Sequence, residues 1–325
     1  MGLKKQLVSS PEQVQGFSPE KIYKTVIIVG VLLDKSSTNV SMAKAFMKLG
    51  FKILPINYRS IIQKHGHQLF ENLLIETVKK HTPVLTIFCK CNGVNPEIVK
   101  ECTKFSTTWL WNPDPYQTIE QCPEVIEHMK NCKFCSSTGG GTHERFVRKY
   151  GLTNSYHIFC GLDYDLYKPV ESVPEYEADI SFIGNSTPER DYFKKVLEAK
   201  YKTKFYGSGY IKSVYEEEFS KVCSSSTFML SLNTYNDIPD YFSNRLLRYM
   251  NSGTCVLHYD PTNTLYKYFK HGEEILFFRS TEELLDLINN TTLAKAGKIA
   301  LYGREKVLRN YTWEHTIQNM LNIAV

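Results

Sequence analysis

A chain of 325 residues is long for one domain and comfortable for two. Its 42% hydrophobic and 22% charged residues are those of a globular protein and exclude disordered or fibrous classes. The formal charge of +5 favours anionic ligands mildly, and is too weak and too evenly spread to argue for nucleic acid.

The amino terminus, MGLKKQLVSSPEQ, is too polar for a secretion signal, and Gln6 stands where N-myristoylation requires Ser or Thr. No run approaches the ~20 apolar residues needed to span a bilayer, so a cytoplasmic location is expected. Apolar runs then alternate with helical spacings. "TVIIVGVLL" (25–33) reads as a buried strand and Ser41 to Leu49 as its helix. "FKILPINY" (51–58) is a second strand, followed by one helix from Ile61 to Lys80. "PVLTIFCKC" (83–91) is a third, with Pro96 to Lys104 after it. "STTWLWNPD" (106–114), "CKFCSST" (132–138) and "SYHIFCG" (155–161) continue the series. Runs that are apolar on both faces, alternating with helices, predict a parallel sheet covered on both sides.

From 161 to 179 the sequence is acidic, proline-containing and aperiodic after Pro169, and reads as a linker. The alternation then restarts in "DISFIGN" (179–185), "KTKFYGSG" (202–209), "STFMLSLN" (226–233), "GTCVLHYD" (253–260) and "EEILFFRS" (273–280). The tail from 292 is helical with a break near Asn310. The expectation is α/β: two doubly wound Rossmann-like domains, 1–168 and 169–309, facing across a cleft, with a terminal helix, 310–325.

The nine cysteines are odd in number and often lie inside apolar runs, which suits reduced thiols. Cys132 and Cys135 form a lone CxxC without a second pair, so the core reading is preferred to metal. Asp163 and Asp165 have the spacing of a metal-binding carboxylate pair, but they open the linker and a structural role is expected. No G-x-G-x-x-G or P-loop pattern occurs, which disfavours dinucleotide and P-loop chemistry. "SSTGGGTHERF" (136–146) places three glycines between a strand and a helix. It can form either an amide-lined pocket for an anionic or sugar ligand or a flexible loop.

The second half carries more. "FIGNSTPER" (182–190) is a strand, a glycine and a capped helix start, with Ser186 or Thr187 as cap and Pro188 near the first position. "FYGSGY" (205–210) is a strand ending in a glycine turn. "LSLNTYNDIPDYFSNR" (230–245) is a strand end and a long polar loop leading into a helix. Arg245 stands at that helix start, where the dipole disfavours a cation unless an anion is shared. All these ends lie at the carboxyl side of parallel strands, where open α/β sheets bind ligands.

The ordered set "SFIGN…R…FYGSGY…SLN…SNRLLRYMNSG…EILFF" resembles the donor-binding half of CgeB-like (spore-maturation-protein type) group-1 glycosyltransferases. "WLWNPDP" (109–115), "GLDYDLYKPV" (161–170) and "NYTWEHTIQNML" (310–321) resemble that family's first-domain, linker and terminal-helix segments. The resemblance implies the GT-B fold, with the terminal helix returning to the first domain. It implies transfer of a sugar from a nucleotide-diphosphate sugar, a co-substrate rather than a cofactor, without an essential metal. The acceptor would be a glycan, protein or small molecule bound by the first domain. Arg245 would face the diphosphate beside Asn244, with Arg190, and less so Lys195, adding charge. Tyr206, Gly207 and Gly209 would line the base or ribose, and Gly184, Asn185 and Asn233 complete the donor side. Related retaining enzymes carry two glutamates eight positions apart; here Asp240 and Arg248 stand there, so Asp240 can bond sugar hydroxyls but Arg248 cannot accept from a ribose. An inverting reaction would take its base from Asp114 or His143, whereas a retaining one would use the donor phosphate. The rival readings are a GT-B sugar-nucleotide epimerase and a non-catalytic sugar- or nucleotide-binding module.

Overall fold

A computed structural model describes residues 24–32 and 35–324. The reading of the polar amino terminus and the last residue of the 25–33 run lie outside these residues. Strands β1 (Thr25–Val29), β2 (Lys52–Ile56), β3 (Leu85–Cys89), β4 (Thr108–Asn112), β5 (Phe134–Ser137) and β6 (Ser155–His157) form one parallel sheet, in the order β2-β1-β3-β4-β5-β6. Helices α1 (Thr38–Lys48), α2 (Tyr58–His65), α3 (His67–His81), α4 (Pro96–Cys102), α5 (Tyr116–Ile119), α6 (Pro123–Asn131) and α7 (Gly140–Tyr150) connect them.

The second sheet holds β7 (Ala178–Ile183), β8 (Thr203–Tyr206), β9 (Ser226–Ser231), β10 (Cys255–Tyr259) and β11 (Leu276–Phe278), in the order β11-β10-β9-β7-β8, again all parallel. Its helices are α8 (Pro188–Glu198), α9 (Glu216–Ser224), α10 (Asn244–Asn251), α11 (Thr281–Asn289) and α12 (Leu293–Asn310), and α13 (Trp313–Ala324) ends the chain. Short 3-10 turns occupy Pro174–Tyr176 in the linker and Leu265–Lys267 after β10. Among the described residues no helix is long and apolar enough to cross a membrane.

The expected strands all form; the central β3 and β4 are buried at every residue, whereas the edge strand β2 buries only Ile56. One expectation is corrected. The helix predicted over Ile61–Lys80 is two helices, interrupted at Gly66, whose φ of +82° ends α2 and starts α3. The two short helices α5 and α6 were not anticipated.

The tail breaks at Tyr311 and Thr312, and α13 leaves the second domain altogether. Trp313, Ile317 and Met320 are buried in the core cluster of β1, β3, β4 and α1, where Trp313 meets Trp111 edge-on at 5.6 Å. Leu321, four residues after Ile317 on the same helix, is only partly buried against that cluster. The two chain crossings lie side by side. Leu162 donates its amide to the Tyr311 carbonyl at 2.7 Å, and Trp313 donates to the Leu162 carbonyl at 3.1 Å. Gly161 makes this approach possible, since a Cβ there would sit 2.3 Å from the Trp313 Cα.

Because Trp313 fills the first domain's core, Trp313→Ala should destabilise that domain by about 3–5 kcal/mol. Denaturant unfolding followed by near-UV dichroism should show an early transition of the first domain ahead of the second. A midpoint equal to the parent's would mean the indole contributes little.

Candidate functional site

Both strand orders reverse direction once, between β1 and β3 in the first sheet and between β7 and β9 in the second. Crevices at such points, outside the carboxyl ends of the strands, are the usual ligand sites of open α/β sheets. The carboxyl edges of the two sheets face each other. Residues 139–141, which follow β5, touch residues 238–241, which follow β9.

At the second crevice β7 runs into Gly184 and Asn185, and β9 into Leu232 and Asn233. Thr187 caps α8 by accepting the Arg190 amide, with Pro188 at its first turn. Arg190 lies on α8 and is 3% exposed. Its guanidinium donates to the carbonyls of Asn185 at 2.9 Å and Leu232 at 3.1 Å. Arg245, half-buried at the start of α10, donates to the same Leu232 carbonyl. Each guanidinium carbon lies 5.2 Å from the centre of the Phe182 ring. No carboxylate among the described residues pairs with either arginine, and both Nε–H groups are buried without a partner. Burial and the neighbouring Arg245 charge pull Arg190 down to about 10.

Around this pair the polypeptide leaves room rather than filling it. A Cβ on Gly184 would come within 2.8 Å of both the Arg245 guanidinium and the Phe182 ring. Gly207, at φ +135°, has its α-carbon so near the Gly184 carbonyl that a Cβ would sit 2.1 Å from that oxygen. Ser243, the residue preceding α10, makes no side-chain cap, and its hydroxyl is buried without a partner. The first amides of α10 and the Arg245 guanidinium therefore share one face with unused donors.

Asn233 organises the loop that delivers them. Its Oδ1 accepts the Ser243 amide at 3.0 Å, and its own amide donates to Asn236 Oδ1 at 2.8 Å. Asn236 in turn donates to Glu189 at 2.6 Å. Asn185 accepts the Ser208 amide at 3.3 Å, joining the two glycine turns, and Gly209 passes over Ser186. Asn244 is the first residue of α10 and half-buried.

Two donor-side expectations change. Tyr206 is 2% exposed and packs into the core with Tyr176 and Met229, so its ring is not a lining group. Strand alternation explains this, since β8 sends Phe205 to the opposite core face. Arg190 is tied beneath the crevice by backbone carbonyls and supports Arg245 from below. Lys195, five residues on, is engaged with neither arginine.

Asp240, at φ +55°, pairs with Lys267 at 2.6 Å, and its Oδ1 is buried without a partner. Its backbone carbonyl accepts the Gly140 amide at 3.1 Å, and the Pro239 carbonyl accepts the Gly141 amide at 2.9 Å. Gly139–Gly141 is thus neither an open amide pocket nor a flexible loop. A Cβ on Gly140 would sit 2.7 Å from the Asp240 Cβ, and one on Gly141 the same distance from Pro239 Cδ. The triple glycine lets the second domain's loop cap α7 from across the cleft.

Asp114 and His143, the two candidate bases, are separate. Asp114 pairs with Lys90 at 2.6 Å at the end of β4. His143 bonds Ser155 through Nδ1 at 3.0 Å, and burial lowers its pKa, so it is neutral at pH 7. Arg248 lies one turn after Arg245, its guanidinium 4.3 Å from the Tyr167 ring centre, with no carboxylate partner among the described residues. Burial lowers its pKa too. Asp163 and Asp165 are held by the first domain: Asp163 accepts Ser41 Oγ at 2.8 Å, and Asp165 pairs with Lys48 at 2.7 Å. Lys90 lines the crevice between β1 and β3 although sequence reasoning assigned it no role there. The cue for Lys90 was its place just beyond the buried strand "TIFC".

A family described as glycosyl transferase-like matches residues 169–322, which hold the second sheet and α13. No curated protein matches the chain. Among solved structures, an alpha-glucosyltransferase in complex with UDP-glucose and DNA containing an abasic site is similar, at a TM-score of 0.68 and 11% identity over 93% of this chain and 99% of that one. Sucrose-phosphate synthase from Thermosynechococcus elongatus gives 0.61 and 12%, over 92% and 98%. The lipopolysaccharide outer core galactosyltransferase WaaB, in its apo form, gives 0.58 and 11%, over 93% and 100%. The fold is GT-B: two Rossmann-like domains facing across a cleft, with α13 returning to the first.

The cross-cleft cap has its own test. Gly140→Ala should push the loop off α7, and the Gly141 amide should then exchange with solvent about tenfold faster than in the parent, a loss of ~1.4 kcal/mol. Unchanged exchange at Gly141, measured by NMR, would show that the contact yields without opening.

Proposed function

We propose that this chain is a nucleotide-sugar glycosyltransferase that moves a sugar onto a hydroxyl of a glycan, protein or small molecule. The observation that carries the reading is the arginine pair. Two guanidiniums share one carbonyl, lack any carboxylate among the described residues, and stand beside an uncapped helix start at a switch point. Such a cradle suits a diphosphate, which brings two negative charges and several acceptor oxygens. Matching of the donor half to glycosyl transferase-like sequences supports it. The motif order further supports a CgeB-like subgroup.

In the proposed reaction the acceptor oxygen forms a bond to the anomeric carbon as the bond from that carbon to the diphosphate breaks. The electron pair leaves with the nucleoside diphosphate, whose growing charge Arg245 and the α10 amides stabilise. Arg190 holds Arg245 in place through the shared Leu232 carbonyl. The acceptor proton passes to Asp114 or His143 if the configuration inverts, or to the leaving phosphate if it is retained. Asp114 is favoured of the two, because its partner Lys90 lines the crevice between β1 and β3. Gly184, Asn185, Gly207, Gly209, Asn233, Asp240 and Asn244 would shape the donor pocket through their backbone and loop bonds.

Turnover without a metal ion is part of the reading. It is supported by the cationic cradle and by the engagement of Asp163 and Asp165 with Ser41 and Lys48. The mild charge of +5 does not by itself call for a nucleic-acid acceptor, and eight buried free cysteines support a reducing compartment such as the cytoplasm.

Arg245→Ala should melt as the parent does yet bind nucleoside diphosphate about ten- to hundredfold more weakly, the loss of a charge-assisted contact of ~1.5–3 kcal/mol. Calorimetry decides this; parent-like affinity in a well-folded variant removes the assignment. Turnover should also survive EDTA. A dependence restored by manganese would return Asp163 and Asp165 to the reaction.

A further inference from the structure

The crevice at the other switch point, between β1 and β3, holds a cavity of about 160 Å³. Its polar lining is rich in donors: Lys90, Arg59, Asn39 and Trp111. Trp111 is 1% exposed, and its indole Nε1–H is buried without an acceptor among the described residues. Buried indole N–H groups are normally bonded, so this one marks a missing acceptor atom. Tyr58 is already engaged, its hydroxyl accepting from Arg59 Nε at 3.2 Å.

The backbone here is shaped for the cavity. Lys90 and Cys91 lie one after the other at φ +62° and +59°, a left-handed conformation that non-glycine residues adopt at a cost. Gly30 ends β1 below Asn39, where a Cβ would sit 2.8 Å from the Asn39 Nδ2. Asn39 is thereby free to lie across the strand end, donating to the Val31 carbonyl at 3.1 Å. Lys90, which lines the cavity, pairs at 2.6 Å with Asp114, the proposed base.

We infer that this cavity is the acceptor subsite and that it takes an oxyanion, a phosphate or carboxylate carried by the acceptor, on Lys90, Arg59 and the Trp111 Nε1–H. This rests on the glycosyltransferase reading for the word acceptor, but not for the anion site itself. An oxyanion there satisfies the indole N–H, and by drawing on Lys90 it loosens the Lys90–Asp114 pair, leaving Asp114 available to accept a proton.

The chain has three tryptophans, so ¹⁵N-tryptophan labelling of the full-length protein gives a readable set of indole N–H resonances, with Trp111→Phe identifying the relevant one. Inorganic phosphate, acetate and glycerol are titrated at constant ionic strength, held with chloride. Phosphate or acetate should shift the Trp111 resonance saturably, and whichever binds more tightly identifies the anion. Glycerol should leave it in place. Arg59→Gln, a change at an exposed side chain, should weaken the anion about tenfold. Arg245→Ala should leave the Trp111 titration unaltered, which separates this site from the donor cradle. The inference is overturned if neither anion moves Trp111, or if glycerol moves it equally. It is also overturned if the shift persists undiminished in both Arg59→Gln and Lys90→Gln, or if uridine diphosphate produces it.

Discussion

Two guanidinium groups converge on the carbonyl oxygen of Leu232, and much of the second domain is arranged around holding them there. Two like charges that share one acceptor repel each other. One carbonyl dipole and the face of Phe182 offset only part of that. The fold tolerates the remainder by fixing every neighbour: Asn185 gives Arg190 a second carbonyl, Gly184 gives Arg245 space, and Asn233 fixes the loop that starts α10. On the proposed reading, guanidinium groups held this way would meet a diphosphate with little reorganisation left for the binding step.

The same loop ties donor to acceptor side. Residues 233–243 begin at Asn233, cap α7 of the first domain through Pro239 and Asp240, and end at the α10 start that presents Arg245. Phe242 stacks on Phe159 at 4.4 Å, so the loop is also packed against the segment leaving β6. A displacement of one domain is therefore felt at the guanidinium without any further relay. The cleft and the cradle are two ends of one short piece of chain.

Much of this was legible from sequence where the signal is local. Strands buried on both faces, the Thr187 cap, the glycine turns after β7 and β8 and the arginine at the α10 start each announce themselves within a few residues. The misreadings share a different cause. The three glycines at 139–141 read as either a ligand pocket or a flexible loop because their partner, Ile238–Asp240, lies about a hundred residues away. Tyr206 read as a lining ring because its position at a strand end says nothing of which core face receives it. Lys90 carried no motif and Trp111 lay in "WLWNPDP" with no role assigned to it, since a left-handed lysine and an unbonded indole become visible only in three dimensions. Gly66 was a local cue passed over, a single glycine inside an otherwise helical spacing.

The return of α13 also fixes an order of events during synthesis. Trp313 and Ile317 complete the core beneath β1, β3 and β4, although those strands emerge from the ribosome first. The second sheet, with every strand encoded between Ala178 and Phe278, completes its core with α12, which ends at Asn310 before α13 is made. Vectorial folding is thus inverted: the later-made domain can close on its own while the earlier one waits with Trp111 uncovered. A nascent chain stalled before Trp313 would expose that apolar face to holdase chaperones, and would be a better chaperone client than the finished protein.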